Sequence, residues 1–528
     1  MESFLRATRD RAADARLPSL APCVQKGALL HAVLMAKLPL VHKLLSRGAD
    51  ADECLDGTFP LGVACGIGRA DLVRALLAAR ACVDAVEDDG ASALFIAAHE
   101  GALGCVDALL AARASCSAVR RDGESPLAAA LRRSHSAVVA RLLDEGADPA
   151  LTSPRAPSLL QVATTRGDAR LVARLLDNGA SVEAVGRSGQ TALGTAARRG
   201  DIASAKVLLE HNAHADAAMT NGVTPLACAC AEGHGEMVML LLAHGASANA
   251  SVSSGASALY VAIQHSEAVS LPIVQALLGA KANVNAPGRK GATPLYVACA
   301  ESHSSIVDLL LANGACASVC ADGGRSPLAV VVEQRTSAAP ALCASLLAAG
   351  ASVNAPKHNG ITPLFLACAG LVRGARLDGH TRSEWRDARE ANEVGPSARL
   401  ELLEALLAAR ADVHACDSNG ISPLWIAAHN GQADIVQRLL NAAADVHACA
   451  LDGSSALWAA AHQGQSCTVR LLLERGGDPS CRTRAGRSAL DAAMWEREAH
   501  AYEGHHRKQE YDAVVELLSA TIEERPCT

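Results

Sequence analysis

The chain has 528 residues, 50% of them apolar, 20% charged and only 2% aromatic, with a net charge of −7. The acidic balance argues against a general nucleic-acid role, and no run of 18 apolar residues occurs: Leu29 to Leu45 is broken by His31, Lys37, Pro39 and Lys43, so no membrane span is expected. Met1-Glu-Ser-Phe-Leu carries early acid and no long apolar run, so the 18 cysteines read as reduced thiols and the compartment as intracellular and cytoplasmic.

Residues 1–26 mix Arg6, Arg9, Arg11 and Arg16 with Glu2, Asp10 and Asp14, the polarity expected of a helical cap, or of a frayed arm. From residue 27 one pattern returns, best seen in Asp417-Ser-Asn-Gly-Ile-Ser-Pro-Leu-Trp-Ile-Ala-Ala-His-Asn-Gly-Gln-Ala-Asp-Ile-Val-Gln-Arg-Leu-Leu. Gly420 suits the positive φ of a tight turn, Ser422 a helix N-cap and Pro423 the first helical position, where its missing N–H has no partner to lose. Leu424, Ala427 and Ala428 follow at helical spacing, Gly431 ends the run, and Ile435, Val436, Leu439 and Leu440 mark the apolar face of a second helix. Each unit is therefore a helical hairpin.

Leu424 serves as a register mark, and its equivalents are Leu30, Leu61, Leu94, Leu127, Leu160, Leu193, Leu226, Leu259, Leu295, Leu328, Leu364, Leu457 and Leu490. Nine of the thirteen gaps between them equal 33 residues; the others are 31, 36, 36 and 60. The pattern resembles the ankyrin repeat, with its Thr-Pro-Leu-His-x-Ala box, Gly-His turn and Ile-Val-x-x-Leu-Leu helix. The resemblance implies an all-α solenoid of fourteen units, each a pair of antiparallel helices with a β-hairpin or turn finger, that buries its apolar faces only against its neighbours. It divides the chain into an N-terminal cap at 1–26, an array at 27–520 and a tail at 521–528.

Repeats 2 to 4 follow the pattern closely, and twelve of the fourteen units place a glycine four residues before the register leucine. In repeat 5 Ala156 replaces it between Pro154 and Pro157, so an irregular finger is expected there, with Ser158 still able to cap the helix. A second glycine, at the left-handed end of the second helix, becomes Arg80, Arg113, Asn212, Lys281 and Arg410 in five units. A residue with a Cβ at positive φ costs on the order of 1 kcal/mol, which a basic side chain at the negative end of a helix dipole partly offsets. The length anomalies all fall between the two helices of a unit, where insertions leave the stack intact. Repeats 8 and 10 gain three residues each, around 266–272 and 336–340; repeat 11 gains 371–397; and repeat 14 gains about 497–508, ahead of Ala513-Val-Val-Glu-Leu-Leu. Cys65, Cys230, Cys299 and Cys368 take small-residue core positions.

Catalytic and metal motifs do not hold. His99-Glu100 begins like a zinc-protease helix, but Leu103 stands where the second histidine belongs; Cys228 and Cys230, and Cys316 and Cys320, lack a second ligand pair at zinc spacing. His500, His505 and His506 read as a solvated loop. No cofactor is expected, and the protein is read as no enzyme.

Phe95, Tyr260, Tyr296, Phe365, Trp425 and Trp458 occupy the single position after the register leucine, where the ankyrin family usually has histidine, and packing between repeats is their expected role over a ligand-facing ladder. Ankyrin repeats usually bind partners with their finger tips and the exposed face of the first helix. Carried over by register, those positions in repeats 4 to 6 hold Arg121, Asp122, Glu124, Arg132, Arg133, Arg155, Arg166, Arg187, Arg198 and Arg199, whereas repeat 3 presents Asp88, Asp89 and Glu100. The resemblance thus implies a protein-binding scaffold or adaptor, with a basic patch for an acidic or phosphorylated peptide or, failing that, a solvated face without a partner. The repeat 11 insertion reads first as a disordered loop, and alternatively as a docking element with Trp385 as its anchor. The alternative function is a regulatory or substrate-targeting subunit of a ligase, kinase or phosphatase assembly.

Overall fold

The computed structural model describes residues 27–152, 156–186, 189–249, 256–334, 336–369, 396–499 and 505–524. Among them the chain forms 28 α-helices and one short 3-10 turn, Arg289–Gly291, with no extended strand. From repeat 3 onward, first helices start where a serine or threonine accepts the N–H three residues on: Ser92 from Phe95 at 3.1 Å, Thr191 from Gly194 at 3.1 Å, Ser422 from Trp425 at 3.1 Å; Gly27 and Phe59 precede the first helices of repeats 1 and 2 without a side-chain cap. Ser158 does the same for Leu159–Arg166 and Gln161 returns the bond, a capping box that leaves the helix sound beside the proline-flanked finger. Residues 153–155 of that finger lie outside the described residues. At Gly420 φ is 73°, and a Cβ there would stand 2.9 Å from the Leu451 nitrogen, so only glycine lets the next finger come this close.

Second helices are mostly nine residues long and bury one stripe, as Ala433–Asn441 buries Ile435, Val436 and Leu439. Thirteen register leucines are buried: Leu30, and the twelve at Leu61, Leu94, Leu127, Leu160, Leu193, Leu226, Leu259, Leu295, Leu328, Leu364, Leu424 and Leu457.

 All twelve of these leucines stand at 1% or below, and Leu30 at 8%. Burying a leucine stabilises by about 1.5–3 kcal/mol, so each of these residues contributes to the cohesion of its hairpin with its neighbours. Leu490, in repeat 14, is half-buried, since its helix has a neighbouring hairpin on one side only among the described residues. Cys65, Cys230, Cys299 and Cys368 are fully buried, and burial pushes the Cys230 and Cys299 thiols up to about 12.

The left-handed positions are filled as expected: φ is 65° at Arg80, 64° at Arg113, 62° at Asn212, 59° at Lys281 and 62° at Arg410. Ala443, at 64°, takes the same conformation with no basic side chain. Between neighbouring repeats the finger tips are tied by backbone bonds, among them Arg121 N to Asp89 O at 3.0 Å, Leu451 N to Asn419 O at 2.9 Å and Arg484 N to Asp452 O at 2.8 Å. β pairing within fingers is limited to isolated bridges such as Val86 with Ser92 and Cys449 with Ser455.

Two compact units result: repeats 1 to 6 lie in the unit that ends at Thr220, and repeats 7 to 14 in the unit that begins at Asn221. Within the second, the long gap of repeat 11 does not interrupt the stack. Ser418 N still donates to Asn359 O at 2.9 Å, and Asp412 N to Asn354 Oδ1 at 2.9 Å, across the 371–395 segment, which lies outside the described residues.

Two insertions differ from the looped form expected of them. In repeat 8 the added residues extend the second helix, Glu267–Gly279, to 13 residues with Pro272 inside it. Three residues are close to one helical turn, so Ile273, Val274 and Leu277 keep their phase toward the core. In repeat 14 both helices lengthen, to Ala489–Ala499 and His505–Glu524, so His505 and His506 begin a helix rather than a loop. Its buried stripe, Tyr511, Val514 and Leu518, keeps helical spacing, and the Tyr511 hydroxyl donates to His462 O at 3.0 Å. The helix runs through residue 524, past the 520 boundary set for the array.

Candidate partner-binding site

The fifth and sixth residues after each register leucine end the first helix. In repeats 4 to 6 these are Arg132 and Arg133, Thr165 and Arg166, and Arg198 and Arg199, and all five arginines are exposed. Cations are favoured there by the helix dipole, at about 0.3–1 kcal/mol each, so part of their role is to stabilise the helices that carry them. The rest depends on what each guanidinium touches. Arg132 pairs with Glu124, a buried carboxylate of its own finger. Arg166 donates to Arg132 O at 3.1 Å, and Arg198 lies 3.8 Å from the Met219 sulfur. Arg121 and Arg199 make no side-chain bond among the described residues, whereas Arg155, Arg187 and Trp385 lie outside those residues.

The geometry is most developed between repeats 3 and 4. A recess of about 310 Å³ is lined by His99, Arg120, Glu124, Ala129, Arg132 and Arg133. Arg133 donates to His99 Nε2 at 2.9 Å; a guanidinium cannot accept, so Nε2 is the acceptor and the ring proton sits on Nδ1, 2.9 Å from Glu100 Oε1. The ring also stacks on Phe95 at 6.3 Å, and Arg120 covers the Phe95 ring at 5.4 Å. Arg120 in turn pairs with Asp122 and reaches Asp89 at 4.0 Å. The acids of the repeat 3 finger therefore interleave with the basic residues of repeat 4 instead of forming a separate zone. Their crowding also acts on Glu87, whose carboxyl is raised to about 7 by burial and by the charges of Asp89 and Asp88. Arg120 escaped the sequence reading, and His99 entered it only as the start of an incomplete zinc-protease pattern. His99 shares a register column with Arg132 and Arg198, and that column was the available signal.

A family model for ankyrin repeats, in three-copy blocks, matches residues 29–122, 82–153, 127–219, 159–252, 212–286, 259–357 and 394–483. The chain belongs to the ankyrin-repeat family. Among solved structures it is similar to the human ASB11 ankyrin repeat domain, at 25% identity over 48% of this chain and 98% of that one, with a TM-score of 0.36. It is likewise similar to the ankyrin repeat domain of Bcl-3, described as a member of the IkappaB protein family, at 27% identity over 41% of this chain and 97% of that one, also with a TM-score of 0.36. No curated protein matches it. Ankyrin repeats are protein-protein interaction modules, and no described helix is long and apolar enough to cross a membrane.

At the ankyrin histidine position the aromatic residues divide into two groups. Phe95, Tyr260 and Phe365 are buried, as packing between repeats requires. Tyr296, Trp425 and Trp458 are only half-buried. Trp425 stacks on His429 with centroids 5.2 Å apart, and Trp458 on His462 at 4.9 Å. Burial, and then the neighbouring His462, lowers the pKa of His429.

Proposed function

We propose that this ankyrin-repeat protein is a cytoplasmic adaptor or scaffold without catalysis of its own, and that repeats 4 to 6 receive an acidic or phosphorylated segment of a partner protein. The observation that carries the reading is the run of five exposed arginines at the ends of three successive first helices. Carboxylate and phosphate groups accept paired N–H bonds from guanidinium, and charge-assisted bonds of this kind are about twice as strong as neutral ones. Arg121 and Arg199 offer unengaged guanidinium groups among the described residues, and Arg132 and Arg133 line a recess large enough for one anionic group.

The test is a titration of the full chain with a labelled glutamate-rich peptide and its phosphoserine counterpart. Changing Arg132, Arg133, Arg198 and Arg199 together to glutamate is expected to weaken binding by more than tenfold, with affinity falling as salt rises. Unchanged affinity in that variant would remove the proposal.

A further inference from the structure

His99 lines the recess between repeats 3 and 4 with both ring nitrogens engaged, and only one of those bonds survives a change of charge. Nδ1 donates to Glu100 Oε1 at 2.9 Å and the ring stacks on Phe95 at 6.3 Å, so the imidazole keeps its orientation with one proton or with two. Nε2 accepts from Arg133 at 2.9 Å, which it can do only while the ring is neutral. A second proton turns that nitrogen into a donor and sets two cations against each other. Arg133 must then turn away.

An anion in the recess reverses that preference. Arg120, Arg132 and Arg133 line it together with one carboxylate, Glu124, which Arg132 already holds. An entering anion faces a lone pair while His99 is neutral and a hydrogen-bond donor once it is charged, and it also receives the released Arg133. We propose that an acidic group of the partner enters this recess together with a proton on His99, so that repeats 3 and 4 hold it more tightly as pH falls through the histidine range. The inference rests on the acidic-segment reading of repeats 4 to 6 and adds its regulation. Other charged groups around the ring leave the argument intact. His135 donates from Nε2 to His99 O at 3.0 Å, a bond it can make in either charge state, and Arg120 stays with Asp122 and Asp89. The helix Pro60–Gly66 brings only the buried Cys65 thiol, and Leu103–Ala111 brings the buried Cys105 and Asp107, which pairs with Arg141. Glu87 is the competing group, because its carboxyl, raised to about 7 by burial and by Asp89 and Asp88, also changes charge in this range.

The full chain is titrated with a labelled glutamate-rich peptide, whose side chains stay ionised between about pH 5.5 and about pH 8. Affinity is expected to rise by roughly three- to tenfold from the upper to the lower pH, and calorimetry in two buffers of different ionisation heat should show proton uptake on binding. His99→Gln, whose amide oxygen can still accept from Arg133 but takes no proton, should remove most of the pH profile and of the uptake. Glu87→Gln should keep both. An equal profile in His99→Gln, a profile lost only in Glu87→Gln, or binding to wild type without proton uptake would each overturn the proposal. A peptide that binds equally at every pH sinks the coupling and leaves the acidic-segment reading standing. If the peptide binds at no pH, that reading fails, and sulfate, a dianion throughout the range, decides the coupling by itself. Sulfate should raise the titration midpoint of the His99 ring signal, identified by its loss from the NMR spectrum of His99→Gln, and an unmoved midpoint overturns the proposal.

Discussion

One and five residues after the register leucine, repeats 4 and 6 carry Ala128 with Arg132 and Gly194 with Arg198, whereas repeats 12 and 13 carry Trp425 with His429 and Trp458 with His462. Positions four apart lie one above the other on a helix, so the first member of each pair decides what the second can do. A tryptophan gives its histidine a ring to stack on, at 5.2 Å in repeat 12 and 4.9 Å in repeat 13, and holds it in place. Alanine or glycine offers no such platform, and the arginine reaches outward instead, to Glu124 from Arg132 and toward Met219 from Arg198. Repeat 3 is intermediate: Phe95 stacks with His99 at 6.3 Å, and Arg133 of the next repeat then completes the group. The hairpin supplies the positions, and the small or aromatic residue after the leucine selects a polar reach or a fixed apolar surface.

If both faces stand on the same frame, the frame should fail equally beneath them. Leu127 and Leu457 are each 1% exposed, and truncation of either to alanine is expected to cost about 2–5 kcal/mol in urea denaturation. A difference between the two variants larger than about 2 kcal/mol would show that the flanking aromatic or arginine residues, and not the leucine column, hold one of the faces together.

The arginine face can be tested more finely through Glu124. Its side chain is only 6% exposed, and Arg132 is the cation that neutralises it. Arg132→Ala leaves a buried carboxylate without that partner, at a cost on the order of 1–2 kcal/mol, less than for a fully buried pair because Arg132 itself is 45% exposed. Glu124→Gln removes the charge and releases Arg132, so it should lose less stability than Arg132→Ala and bind the glutamate-rich peptide more tightly. Thermal unfolding and peptide titration of the two variants check both statements. A Glu124→Gln protein with weakened peptide binding would mean that the ion pair positions Arg132 rather than restrains it.

Much of the frame could be read before any coordinates. The register leucines, the serine and threonine caps and the left-handed arginines each answer to a local rule, and Leu127, Ser422 and Arg80 obey it in the fold. The extra residues of repeat 8 did not follow the expectation of a loop, because near-whole turns can be added to a helix without moving its buried face. The binding face was harder to foresee for a different reason. Arg120 and Asp89 are 31 positions apart, and their approach depends on how one finger rests on the next. Among the described residues Arg121, Arg132, Arg133, Arg166, Arg198 and Arg199 are exposed, but Glu124, counted with them by column, is buried and engages Arg132, which a column count does not reveal.

The smallest effect isolates the tryptophan face. The Trp425 indole N–H donates to Ser454 Oγ at 3.0 Å, and Ser454 is anchored by Asp452 at 2.6 Å. Trp458 is offset by the same 29 positions from Arg487, a side chain with no acceptor whose guanidinium lies over Trp495, 5.1 Å from the ring centroid, and the buried Trp458 Nε1 has no hydrogen-bond partner. Arg487→Ser places a hydroxyl at the equivalent site. A net hydrogen bond contributes about 0.5–1.5 kcal/mol, and the cation removed from Trp495 was worth about 0.5–1 kcal/mol, so a small gain of roughly 0.5 kcal/mol is expected in thermal unfolding. Arg487→Ala removes the cation and supplies no acceptor, so it should be less stable than Arg487→Ser. Equal stability of the two variants would mean that the serine hydroxyl does not reach the indole, and that repeats 12 and 13 differ in more than the residue at this one position.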